Sequence, residues 1–286
     1  MTLLFLAAFR KGMGELNWVE GRDYVIDARH ANDNLPDAAG LADALVASRP
    51  DVLFAPGDAS ARLLKQRTST IPIVFAIAAD PVGSGLVESL QRPGTNLTGM
   101  TNQLRELGPK RLQLLKEAFP KVMHVGIPFE PKDLASTAQA KTVEEAGKVL
   151  GMRTSLIALT EAADVEPALL RAAAAGVQAF LPVSGPLVVS QRQAIVDAVQ
   201  RTRLPAIYAV AEFAGIGGLM SYGPNIPDNF RRSAGFVDKI LKGAQPGDLP
   251  TQQPTLYDLV LNLKTARGLG LAFPQSVLLQ AVRLIE

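Results

Sequence analysis

The chain has 286 residues, 48% hydrophobic and 20% charged, enough for two ordinary globular domains and too apolar for wholesale disorder. Its 29 basic and 27 acidic residues leave a net charge of +2, which excludes the clustered Lys and Arg of a nucleic-acid footprint. The chain has no cysteine, so disulfides, thiolate metal sites and a cysteine nucleophile are ruled out.

In chain order, residues 3–16 set Leu6, Phe9, Met13 and Leu16 at helical spacing and read as an amphipathic helix. They do not read as a secretory signal, because no basic segment precedes "LLFLAAF" and no small-residue cleavage site follows it. "DYVIDAR" (23–29) reads as a strand, "PDAAGLADALVAS" (36–48) as a helix, "DVLFAP" (51–56) as a short buried strand and "DASARLLKQRT" from 58 as a helix. The apolar run "IPIVFAIA" (71–78) is a buried strand that ends at Ala79-Asp80-Pro81; "GSGLVESL" (83–90) is expected to be the next helix, and "NLTGMTN" (96–102) the next strand. A second series follows, with strands expected at 122–128, 153–159, 177–183 and 204–210 and helices at about 107–118, 133–150, 164–175 and 188–202. After 221 come a helix over 225–244 capped by Asn225, the turn "PGDLP" and a strand over 254–262. The pairs Lys110-Arg111 and Arg231-Arg232 read as solvated helix faces, as does Glu144-Glu145. His30 and His124 lie far apart and read as strand-end or surface residues, so no metal site is expected. No apolar run reaches the length of a membrane span.

Apolar strands alternating with helices mean parallel sheets covered on both faces. The expected fold class is α/β, with two doubly wound parallel-sheet lobes. The first lobe covers 1–103 with 224–250 returning to it; the second covers 104–223 with 251–286 returning to it. In such sheets ligands lie beyond the carboxyl ends of the strands. Asp80 stands at such an end, and the N–H groups of Val82, Gly83 and Ser84 are expected to open a helix with its positive dipole end. Gly57, Asp58 and Ser60 repeat the device one strand earlier. A carboxylate beside a helix start suits a small molecule with both a cationic and an anionic group; Asp58 and Ser60 read equally as helix caps, while for Asp80, with Pro81 fixing the turn, the ligand role is favoured over capping.

Five phrases go further: "FRKGMGELNWVEGRDYVIDAR" (9–29), "STIPIVFAIAADPVGSGLVESLQRPGTNLTGMT" (69–101), "KRLQLLKEAFP" (110–120), "LPAIYAVAEFAGIGGLMSYGPN" (204–225) and "VDKILKGAQPGDLPTQQPTLYDLVLNLKTARGLGL" (237–271). In this order they resemble the ABC-transporter substrate-binding proteins of the tryptophan/tyrosine-binding type, which have the type I periplasmic-binding-protein fold. The resemblance implies three crossings between the lobes, capture of an amino acid in the cleft by hinge closure, and delivery to an ABC permease in the membrane. It implies a periplasmic monomer without cofactor. It also maps the ligand-binding positions onto Gly57, Asp58, Ala59 and Ser60, onto Asp80, onto the loop from Glu130 to Ser136, onto Ser184 and Gly185, onto the segment from Ala209 to Glu212, and onto Tyr222. Relatives often carry Asn-Pro where this chain has Glu130-Pro131, which points to a different specificity. Tyr208 and Tyr222 read as ligand-stacking rings or as core aromatics. Relatives also have a signal peptide and a first strand ahead of the helix at Leu3. Both are missing here, so a truncated or misassigned start is expected, with "YVIDA" and "VLFAP" short of a shared neighbour.

An enzyme is not expected. The chain has no G-x-x-x-x-G-K-[ST] and no G-x-S-x-G, and "GIGGLMSYG" (215–223) does not join a first strand to a helix. The alternative is a ligand-sensing regulator on the same fold, but no DNA-binding segment accompanies it.

Overall fold

The computed structural model describes residues 3–30, 35–102 and 104–286. Its elements in chain order are α1 (Leu3–Glu15), α2 (Leu35–Ala47), β1 (Leu53–Ala55), α3 (Asp58–Lys65), β2 (Ile73–Ala78), β3 (Leu97–Thr101), α4 (Gly108–Ala118), β4 (His124–Phe129), α5 (Leu134–Val149), β5 (Arg153–Ala158) and α6 (Val165–Ala174). Then follow β6 (Ala179–Phe180), α7 (Pro186–Ser190), α8 (Arg192–Thr202), β7 (Ile207–Tyr208), α9 (Ala211–Gly215), β8 (Met220–Pro224), α10 (Ile226–Leu241), β9 (Tyr257–Asn262), α11 (Leu263–Leu269), α12 (Gln275–Leu278) and β10 (Arg283–Ile285). They form two units: Met1–Asn102 with Ile226–Thr255, and Gln103–Asn225 with Leu256–Glu286. Residues 251–255, expected with the second lobe, lie in the first unit, where Gln252 bridges Met100. Among the described residues no helix is long and apolar enough to cross a membrane.

In the first unit β1, β2 and β3 lie parallel in that order. Alternation along β2 fixes the layers. Ile73 and Phe75 pack with Ala42 of α2 and with Ala61 and Leu64 of α3. Val74 packs with Phe9 and Met13 of α1 and with Ala234 and Val237 of α10. In the second unit the sheets β5-β4-β6 and β7-β8-β9-β10 are joined by a Phe180–Ala206 bridge. Among the described residues of this unit, the β8–β9 pair alone is antiparallel. Val125 and Ile127 pack with α4 and α5, while Phe180 and Tyr208 pack with α6 and α8.

The chain departs from expectation in five respects. Residues 23–29 form no strand; one Glu20–Tyr24 bridge is their sheet pairing and Val25 is 83% exposed. β-Propensity makes a strand only where a neighbour takes up the backbone groups. Residues 83–90 form turns in place of a helix, since Gly85 sits at φ +68° and Gly83 is a poor helix former. The strand runs 177–183 and 204–210 shorten to two residues each in β6 and β7. The expected helix over 188–202 divides into α7 and α8 at Gln191. Arg111, read as solvated, is fully buried on α4, and its guanidinium donates to the carbonyls of Leu104 and Leu107.

Candidate functional site

The carboxyl ends of β1, β2 and β3 lie side by side because the strands are parallel and adjacent. Gly57 follows β1 and caps α3; its N–H donates to the Ser60 hydroxyl at 3.1 Å, and that hydroxyl donates back to the Gly57 carbonyl at 2.8 Å. Ser60 is thus occupied in holding the turn, and Ala59 is exposed. Asp58 does more than open a helix. Its Oδ2 accepts the Ala79 N–H from the end of β2 at 3.0 Å, tying the two strand ends together. Its Oδ1 is buried with no hydrogen-bond partner in the protein. Burial pushes the Asp58 carboxyl upward, against the pull of the Ala79 amide and Arg62.

Asp80 is exposed, and its Oδ1 accepts the Gly83 N–H at 2.8 Å. The expected row of free amides at Val82, Gly83 and Ser84 is therefore corrected. The Gly83 amide goes to Asp80, the Ser84 amide to the Asp80 carbonyl at 2.9 Å, and no helix follows. The loop is held from below by Lys65, whose ammonium reaches the Gly85 and Leu86 carbonyls. Two residues outside the expected set join this end of the sheet. The hydroxyls of Ser84 and of Thr101, at the end of β3, are buried without partners. Thr101 was open to the strand-end rule that singled out Asp80; the burial of Ser84 had no signal in the sequence.

The second unit presents its own strand ends. Glu130, after β4, is buried; its Oε1 accepts the Val188 N–H of α7 at 2.9 Å, and its amide donates to the Ser136 hydroxyl at 3.0 Å. A Cβ on Gly185 would fall 2.2 Å from Glu130 Oε1, so the carboxylate lies flat on that glycine. Ser136 is fully buried and its amide donates to Asp133, so it shapes the loop from within. Ser184 exchanges both backbone hydrogen bonds with the Gln139 side chain, a residue outside the expected set. Tyr208 is a core ring, 1% exposed and stacked on Phe213 at 4.9 Å. This is the core-aromatic arrangement of its two readings; burial also pushes its hydroxyl pKa upward. Tyr222 is half-buried and stacks on Tyr257 at 6.3 Å. Glu212 lies in the first turn of α9, just past β7, and its Oε2 is buried without a partner in the protein. Burial pushes its carboxyl upward as well.

Each unit thus carries a buried carboxylate oxygen with unmet hydrogen-bonding capacity at the carboxyl ends of its strands. Such an oxygen is a cost to the free protein, and it favours any ligand that brings a donor to it. A separate groove of about 470 Å³ in the first unit, lined by Pro72, Arg92, Asn96 and Asp248 among others, lies at the amino ends of β2 and β3. Among the described residues no group of three or more His, Asp or Glu could hold a metal ion.

The family model described as ABC transporter substrate binding protein matches residues 4–285. A curated tyrosine-binding protein of Clostridioides difficile (strain R20291) is 22% identical over 263 residues, 92% of this chain and 75% of that protein. Among solved structures, a conserved domain protein from Vibrio cholerae is 26% identical with a TM-score of 0.86, covering 98% of this chain and 95% of that one. An ABC domain from Streptococcus pneumoniae in complex with L-Trp is 24% identical with a TM-score of 0.85, covering 99% and 95%.

Proposed function

The chain belongs to the family of ABC transporter substrate-binding proteins, and we propose that it captures an amino acid, aromatic in first choice, for import by an ABC permease. The observation that carries this reading is the buried, unpartnered Oδ1 of Asp58 at the carboxyl end of a parallel sheet. A carboxylate there suits an α-ammonium group, and the Ser84 and Thr101 hydroxyls suit the α-carboxylate. The tyrosine-binding and L-Trp-bound relatives support the aromatic choice. Asp80, the first candidate for the ammonium, is exposed and already engaged with Gly83, so the role passes to Asp58. Capture takes place outside the cytoplasmic membrane, and the ligand's higher affinity for a closed state favours that state over an open one. The permease then recognises that closed state.

Calorimetry and thermal shift with the free amino acids test the reading. Stabilisation is expected to grow with ligand concentration as mass action requires. Removing one partner of a buried, hydrogen-bonded charge pair costs about 2–5 kcal/mol, so Asp58→Asn is expected to weaken binding roughly 30-fold or more, and Asp80→Ala by less than about tenfold. Strong stabilisation by a sugar or purine, with amino acids inert, would overturn it.

A further inference from the structure

We propose that Lys65 is a positioning residue of the candidate site: its ammonium, at the far end of α3, fixes the 80–87 loop so that the Ser84 hydroxyl is held where it meets the ligand's α-carboxylate. This deepens the functional reading above and rests on it.

The Ser84 hydroxyl is buried without a hydrogen-bond partner in the protein. Its place is therefore set by the backbone that carries it. That backbone lies in a stretch, residues 79–96, that forms no helix or strand. The loop's own hydrogen bonds are short in range. The Gly83 amide donates to Asp80 Oδ1, the Ser84 amide to the Asp80 carbonyl, the Gly85 amide to the Val82 carbonyl, and the Leu86 and Val87 amides to the Pro81 carbonyl. They give the loop its shape but do not tie it to the rest of the unit. Two side chains outside the loop do. The Thr95 hydroxyl donates to the Leu86 carbonyl at 3.1 Å. Lys65 Nζ donates to the same carbonyl at 3.2 Å and also to that of Gly85. Gly85 stands at φ +68°, a left-handed turn that brings both carbonyls to one ammonium. Lys65 alone of the two side chains reaches Gly85, the residue next to Ser84, and a charged donor holds a carbonyl more firmly than a neutral hydroxyl does.

The tether is anchored by α3. Asp58 is the first residue of that helix and Lys65 the last, about 10 Å apart along its axis. Between them Ala61 and Leu64 pack in one cluster with Leu86 and Val87 of the loop. One helix thus offers the carboxylate that suits the ligand's ammonium and, through Lys65, holds the loop whose hydroxyl suits the ligand's carboxylate.

Hydrogen exchange and calorimetry of the full chain test this on the wild type, Lys65→Met, Lys65→Gln and Lys65→Arg, each with and without Ser84→Ala, with thermal melts to confirm folding. Without ligand, Lys65→Met is expected to speed exchange at amides 83–87 by roughly tenfold, since a hydrogen bond to a charged group contributes more than a neutral one, and to leave amides 73–78 of β2 unchanged. The probes are L-tyrosine and L-tryptophan, and the tighter of them is read. Lys65→Met is expected to weaken it roughly three- to tenfold and Lys65→Arg less than about threefold, with Lys65→Gln between. Ser84→Ala is expected to weaken it roughly tenfold or more, and the double variant no further within about twofold, because residues that act through one contact do not add. In an Asp58→Asn background the loss from Lys65→Met is expected to persist in full. Should Lys65→Met not fold, Lys65→Gln carries the same comparisons. Unchanged exchange at 83–87, unchanged affinity, losses that add to those of Ser84→Ala, or a loss that vanishes with Asp58→Asn each overturn the inference and leave the amino-acid reading standing. A Ser84→Ala variant that binds like the wild type does the same. If no amino acid binds the wild type, both readings fail.

Discussion

At Asp58 the proposed binding role is set against stability. A buried carboxylate with one oxygen unpartnered is a cost to the ligand-free protein. Burial raises the folded-state pKa of Asp58 above its ordinary value, so the native state holds that proton more tightly than the unfolded chain. The contribution to stability is then present below the unfolded pKa and is lost as pH rises through the raised one. Glu212 carries the same sign. Asp58→Asn is therefore expected to melt no lower than wild type at neutral pH, and higher by about 2–4 °C if about 1 kcal/mol is recovered. That gain should vanish below the carboxylate range, where Asp58 is protonated anyway. Melting curves of both proteins from pH 4 to 8 without ligand check this, and a variant that melts lower at every pH would show that the ionised carboxylate supports the fold.

At the scale of elements, two glycines of α1 separate packing from propensity. A Cβ on Gly12 would stand 2.0 Å from the Arg231 carbonyl of α10, while a Cβ on Gly14 would meet nothing within 4 Å. Gly12→Ala must push the two helices apart and loosen the layer of Phe9, Met13 and Ala234, at a cost of about 1–3 kcal/mol or more. Gly14→Ala is expected to leave stability unchanged or raise it by about 0.5–1 kcal/mol, because alanine has less freedom to lose in a helix. Denaturant titration of both variants checks the opposite signs. Neither glycine could be sorted by sequence, which shows spacing within α1 but not which face meets another backbone. The same limit explains the other misreadings. β2 was legible because eight apolar residues in a row fit a strand buried on both faces, and the 83–90 turn was not, because "GLVESL" has helical spacing that the glycines cancel. Arg111 looked like half of a solvated pair; the carbonyls that capture it sit in the turn over Leu104–Leu107, which no pattern announces. Of the candidate site, the strand-end rule pointed to Asp58 and Asp80 but could not say that the first keeps an oxygen without a partner in the protein and the second spends its own on Gly83.

The whole molecule is a chain that passes between its two units three times, with breaks at 102/103, 225/226 and 255/256. Each unit has its own core clusters, so each can hold its strand-end loops in place without help from the other. A ligand that engages loops of both units must slow the opening of both sets at once, since local unfolding that breaks its contacts now also costs the binding free energy. Hydrogen exchange with and without saturating ligand is the direct measurement. Added protection is expected at 56–60 and 79–84 in the first unit and at 130–136, 184–188 and 209–212 in the second. The amino-end groove supplies an internal control: amides near Ser69, Thr70 and Gly94 are expected to exchange at unchanged rates. Protection confined to one unit would mean that the ligand is held by that unit alone, and capture by closure would have to be abandoned. Protection at the groove in place of the strand ends would move the site to the opposite end of the first sheet and leave the free oxygen of Asp58 without a function.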